Sequence, residues 1–180
     1  MKTTPQDFIF ISSNSVPTIS IMRYWIDLHS YYPKFQDRWC DTEEPTIEMA
    51  MDESLSPDTL TFFAFRPQQD LTPLGEFTLE PIGRGLYLTH FSANPVIRMS
   101  LIDKFQASIQ FHRLAFDNHA AALFGITPEN NKKAIATALR FGYKSIDTIP
   151  NIGRERGKPT AALFTILTAQ HFYHIYGDRP

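Results

Sequence analysis

Three residues have the types and spacing best suited to proton transfer: His90, Glu76 and Glu80. Glu76 and Glu80 are an even number of residues apart, so on a strand they share one face. Carboxylates in such a pattern are ordinarily solvent-facing; their functional use would be as acid or base. His90 alternates with Leu86 and Leu88, which implies a partly buried face and the alternative of a structural, hydrogen-bonded imidazole. Ser92 follows closely, but no Asp and His arrangement marks it as a nucleophile. His171 and His174 lie three apart near the end of the chain, with His112 and His119 elsewhere. None has acidic or thiol partners at metal-ligand spacing, so no metal site is expected. Cys40 is the one cysteine, which excludes an intrachain disulfide, and its neighbours Trp39 and Asp41 give no reason for a lowered thiol pKa. Arg154, Arg156 and Lys158 form the strongest positive cluster, suited to an acidic acceptor or partner protein, or else to a solvated loop.

The elements that must position these groups follow from pattern. Residues 8–11 form a short strand, and Ser12–Ser15 with Pro17 begin a helix in which Ile19, Met22, Ile26 and Leu28 recur at helical spacing until Pro33. A second helix spans 45–55, with Ile47, Met51 and Leu55 at steps of four. Strands at 60–65, 74–81 and 86–91, the last two joined by Gly83–Gly85, make an antiparallel meander. Pro95 opens a long helix to about Phe116, with Ile97, Leu101, Phe105, Ile109 and Phe116 along one face. The apolar run 120–126 predicts a strand buried on both faces. Thr127, Pro128 and Glu129 supply a cap, a first-turn proline and a first-turn acid for a helix ending at Gly142. Strands at 143–150 and 161–167 follow, then a terminal helix.

With 180 residues, 43% hydrophobic and 20% charged, the chain has the size and composition of one soluble globular domain, residues 1–180. A net charge of -2 and scattered basic residues disfavour nucleic acid. No segment has the apolar length of a membrane span or signal peptide, so a cytoplasmic location is expected.

Asn131 is followed at +3 by Ala134, at +4 by Ile135, at +9 by Arg140, at +11 by Gly142 and at +12 by Tyr143. That pattern, just after an apolar strand, resembles the second motif of the GNAT acyl-CoA N-acyltransferases, and the element order over residues 8–168 is similar to their α+β fold with a mixed central sheet. The resemblance implies acetyl-CoA as cofactor, an amine-bearing small molecule or protein as acceptor, and Asn131 meeting the acyl-CoA arm where two central strands splay. It also assigns the cofactor to the join of the third meander strand and the long helix, at Phe91, Ser92, Pro95, Arg98, Met99 and Ser100. There the family carries Pro, two residues and an Arg-Gly-x-Gly-x-Gly/Ala loop whose N–H groups receive the diphosphate. This chain keeps Pro95 and Arg98 but has no glycine between Asn94 and Ile102, and Ala138 stands where many members carry a Tyr that protonates the departing thiolate. The resemblance implies direct attack by the amine, with His90, Glu80 or Glu76 as base. The alternative is an inactive GNAT-like scaffold, for instance a tailed-phage virion component or a subunit of another assembly. Its partners would meet the aromatic-rich region Tyr24, Trp25, Tyr31, Tyr32, Phe35 and Trp39.

Overall fold

A computed structural model describes residues 8–31, 35, 38, 42, 44–67, 72–118, 120–155 and 158–177. Cys40, Trp39, Tyr32, Pro33, His119 and Arg156 lie outside these residues.

Seven strands form one mixed sheet: β1 (Ile9–Ser12), β2 (Leu60–Phe65), β3 (Gly75–Gly83), β4 (Leu86–Ala93), β5 (Ala122–Pro128), β6 (Lys144–Glu155) and β7 (Lys158–Thr168). Their order across the sheet is β1-β2-β3-β4-β5-β7-β6, and among the described residues only β4 and β5 run parallel. Helices among the described residues include α1 (Thr18–His29), α2 (Ile47–Leu55), α3 (Leu101–Asn118), α4 (Lys132–Arg140) and α5 (Ala169–Tyr176). One sheet face carries the main core, where Phe77, Leu79, Leu123 and Leu167 meet Phe111, Phe116, Phe141 and Phe172. The other is covered over β2 by α1 and α2, through Tyr24, Trp25, Leu28, Phe63 and Phe65.

The side chain choosing the inward face of α1 is not the expected one. Ile19, Met22 and Ile26 point outward, while Ile21, Tyr24, Trp25 and Leu28 are buried. Both stripes have helical spacing, and the larger area buried by the Tyr and Trp rings decides between them. The aromatic region proposed as a partner surface thus turns largely inward at Tyr24, Trp25 and Phe35, with Tyr31 exposed.

Two helix starts also differ from expectation. Residues 95–100 are not helical, because buried Asn94 accepts the Val96 N–H at 3.0 Å through its side chain and locks a turn. Helix α3 then starts with a reciprocal cap: Ser100 Oγ accepts the Asp103 N–H at 3.0 Å, and Asp103 accepts the Ser100 N–H at 3.3 Å. Leu101, expected on the inner face, is consequently 74% exposed in the first turn. At α4, Pro128 stays in the sheet opposite Ala162, and the Glu129 N–H continues that ladder to Ala161 O. The cap is therefore Asn131, accepting the Ala134 N–H at 3.1 Å, and not Thr127. The helix closes as expected: the Gly142 N–H bonds Leu139 O, the Tyr143 N–H bonds Ala138 O, and Gly142 takes a φ of 100°.

Candidate functional site

Parallel pairing of β4 with β5 lasts only from Leu86↔Ala122 to Leu88↔Phe124. Beyond it the strands part, and the β5-facing edge of Thr89–Ala93 has no strand partner among the described residues. Into this gap opens a cleft of about 580 Å³. Its lining includes His90, Phe91 and Ser92 from β4 and Gly125–Pro128 from β5. Asn131, Ala134 and Ala138 of α4 form one wall, and Leu101, Lys104, Phe105, Ser108 and His112 of α3 form another.

The α3 wall is a helical stripe at i, i+3, i+4, i+7 and i+11 from Leu101, a signal legible in the sequence but not used there. Its deepest member, His112, is buried between Ser108 O, 2.7 Å from Nδ1, and the Tyr143 hydroxyl, 2.9 Å from Nε2. With a carbonyl at Nδ1 the proton belongs there, so Nε2 accepts from the Tyr143 O–H. Burial lowers the His112 pKa to about 4 and raises that of Tyr143 far above the usual range. Both groups are therefore neutral near pH 7.

Glu76 and Glu80 share a face, as alternation requires, yet their surroundings are opposite. Glu76 is fully buried. Its carboxylate accepts from Arg38 Nε at 3.3 Å and Nη2 at 3.2 Å, from Ser92 Oγ at 2.9 Å, and from Thr78 Oγ1. Arg38 Nη2 also reaches Glu53 at 2.6 Å, and the Tyr24 hydroxyl donates to Ser92 O at 2.8 Å. Burial opposes the Arg38 charge, but the Glu76 and Glu53 carboxylates overcome it and hold the guanidinium charged. Burial, then the Glu76 charge, raises the Tyr24 pKa. Glu76 thus faces α1 rather than solvent. It belongs to a network completed by Tyr24, expected at a partner surface, and by Arg38, for which pattern reasoning offered no role.

Glu80, by contrast, is half-exposed, and its Oε2 lies 3.6 Å from His90 Nε2. Its contact with His90 lowers the Glu80 pKa. His90 lines the cleft with its side chain 22% exposed. This is a His–carboxylate pair at the edge of an open space.

The expected cofactor residues divide likewise. Phe91, Ser92 and Asn131 line the cleft. Pro95, Arg98 and Ser100 are not among its lining residues, and Met99 packs with Phe8, Leu74 and Ala107 in a small separate cluster. The cations lining the cleft include Lys104 and Lys133, besides the paired Arg38. In the β6–β7 hairpin the strands extend to Glu155 and from Lys158, so the expected loop is much shorter. His171 and His174 stack on α5 with ring centroids 6.5 Å apart.

No family model and no curated protein matches the chain. Solved structures do. The chain is similar to spermidine N-acetyltransferase from Vibrio cholerae, solved with CoA and spermine, at 9% identity and a TM-score of 0.73, covering 92% of this chain and 97% of that one. It is similar to AAC(6')-Ib, solved with ribostamycin and coenzyme A, at 12% identity and a TM-score of 0.70, covering 96% and 99%. A GCN5-related N-acetyltransferase from Brucella melitensis matches at 14% identity and a TM-score of 0.68, covering 95% and 85%. At such identities the likeness lies in the path of the backbone. Together with the splayed parallel pair and the Asn131-capped helix beside it, it identifies this chain as a divergent sequence with the GNAT acyl-CoA N-acyltransferase fold.

Proposed function

We propose that the chain is an N-acyltransferase that uses an acyl-CoA, acetyl-CoA in the simplest case, to acylate an amine on a small molecule or protein. The observation that carries this reading is the gap between β4 and β5, open to both α3 and α4 and lined by unpaired strand edge. Backbone N–H and C=O groups along Thr89–Ala93 suit the amides of an extended pantetheine arm, as a sheet edge receives an added strand. Phe105, Ala134 and Ala138 provide apolar walls for its methylenes. The diphosphate end is built differently from a glycine loop. Asp103 takes the Ser100 N–H at the start of α3, so phosphate charge would be met by the Lys104 and Lys133 ammonium groups. These residues fit the group.

When bound, acyl-CoA would supply an activated thioester carbonyl and, in the CoA thiolate, the leaving group that the amine replaces. His90 accepts the proton of the incoming amine, with Glu80 beside it to stabilise the imidazolium that results. N–H groups on the free edge of β4 are the donors available to an oxygen gaining negative charge. Glu76, fully buried and paired, holds Ser92 and so the β4 wall in position without meeting the amine. No group of the chain needs to become acylated.

The test is thermal unfolding with and without acetyl-CoA at millimolar concentration. Ligand at about 100 Kd adds about 2.7 kcal/mol to the native state and raises Tm by several degrees. Lys104→Ala together with Lys133→Ala should remove most of the shift. An unshifted Tm in the unmodified chain would end the reading.

A further inference from the structure

Beyond the cleft, β5 and β7 carry an apolar surface that the acyl-transfer reading does not use. Leu123 and Leu167 point into the main core, so alternation turns Phe124, Ile126, Phe164 and Ile166 to the opposite face, that of His90. These four belong to none of the buried hydrophobic clusters, and all are half-buried. The rings of Phe124 and Phe164 are stacked, with centroids 5.4 Å apart and planes within 11°.

Register gives this surface a direction. Ile126, which also lines the cleft, pairs with Phe164, and Phe164 pairs with Asp147 on β6. His90, two residues past the last paired position of β4, stands across the gap from Ile126, two residues past that of β5. One row therefore runs from His90 over the open gap to Ile126, Phe164 and the exposed Asp147. Carboxylates flank it at both ends, Glu80 beside His90 and Asp147 beyond Phe164; Lys144 pairs with Ile166 one row back, where β4 and β5 are still joined.

We infer that the acceptor is a primary amine on an apolar, preferably aromatic, body. The inference rests on the acyl-transfer reading. Its nitrogen would lie at His90 and Glu80, and its body would cover Ile126 and Phe164. A polyamine or a polyhydroxylated amine needs polar partners along its whole length, which this row offers only at its ends. Acid at both ends disfavours a carboxylate on the acceptor.

The experiment is calorimetric titration of the full chain, alone and with coenzyme A, using 2-phenylethylamine and spermidine as probes. 2-Phenylethylamine should bind about tenfold tighter than spermidine, and Phe164→Ala should weaken it about fivefold while leaving spermidine unchanged. Phe164→Leu, which keeps apolar volume without the ring, serves if the alanine variant loses its circular dichroism signature, and should also weaken 2-phenylethylamine. Equal or tighter spermidine binding, no 2-phenylethylamine binding at millimolar concentration, or indifference to loss of the ring overturns the inference. So does a dimer in sedimentation that Phe164→Ala converts to monomer, because the face would then be covered by a second copy. A ring-dependent amine site without an acetyl-CoA thermal shift would keep the amine site and discard acyl transfer. An acetyl-CoA shift without amine preference would do the reverse.

Discussion

Glu76 and Glu80 sit on one strand and one face, yet their surroundings are opposite. At Glu76, Tyr24 of α1 and Arg38 from between α1 and α2 close the network, and both carboxylate oxygens are engaged. At Glu80 the carboxylate is half-exposed and lies 3.6 Å from His90 Nε2, beside the cleft. The first arrangement fixes a wall; the second leaves groups that can exchange protons with a ligand. Whether a charge is structural or chemical is thus decided by what packs over it, four residues along the same strand.

The comparison predicts its largest difference in stability. Arg38→Met would strand the Glu76 carboxylate in the interior and should cost about 3–5 kcal/mol in urea unfolding. Converting Glu76 to Gln in the same chain should recover part of that loss. A cost below about 1 kcal/mol would mean that water reaches Glu76 and the contrast fails. Glu80→Gln, half-exposed, should change stability by less than about 0.5 kcal/mol.

Activity should rank the two positions the other way. His90→Gln should lower kcat by about 10²-fold or more with little change in KM for acetyl-CoA, as loss of a general base does. Steady-state assay of thiol release would read it. Unchanged kcat would remove His90 from the proposed chemistry.

Position separates His90, which borders the cleft, from His112, which is buried. The unfolded chain protonates His112 near its ordinary pKa of about 6.5, whereas the native state does so only near 4. Its contribution is therefore present above about pH 6.5 and lost as pH falls toward 4, a change on the order of 3 kcal/mol. His112→Gln should flatten the urea-midpoint profile across that window. A profile identical to that of the unmodified chain would show the imidazole to be solvated.

The smallest expected effect is at the helix beside the cleft. Asn131→Ala should cost about 1 kcal/mol by removing the cap of α4, and Asn131→Asp should restore most of it. If acetyl-CoA still shifts Tm in the aspartate variant, Asn131 acts by ending the strand and starting the helix, not by touching the ligand.

Much of this was written locally. Residues 132–143 specify an amphipathic helix and a glycine exit through nearest-neighbour chemistry, although its cap was expected at Thr127, and the strand order of the meander follows from alternation and tight turns. The boundaries at Pro95 and Pro128 misled because a proline licenses a helix start without requiring one; Asn94 and the ladder to Ala161 decided otherwise. The inward stripe of α1 was likewise ambiguous in one dimension, since two sets of residues share its period.

What the sequence determined by itself is the set of elements, the motif around Asn131 and the absence of glycines after Asn94, because these depend on contacts a few residues apart. What only the tertiary structure decided is which charges are buried, that His112 pairs with Tyr143, and where β4 and β5 part. Those depend on residues 31 to 68 positions apart meeting across the sheet, and no local pattern encodes such distances.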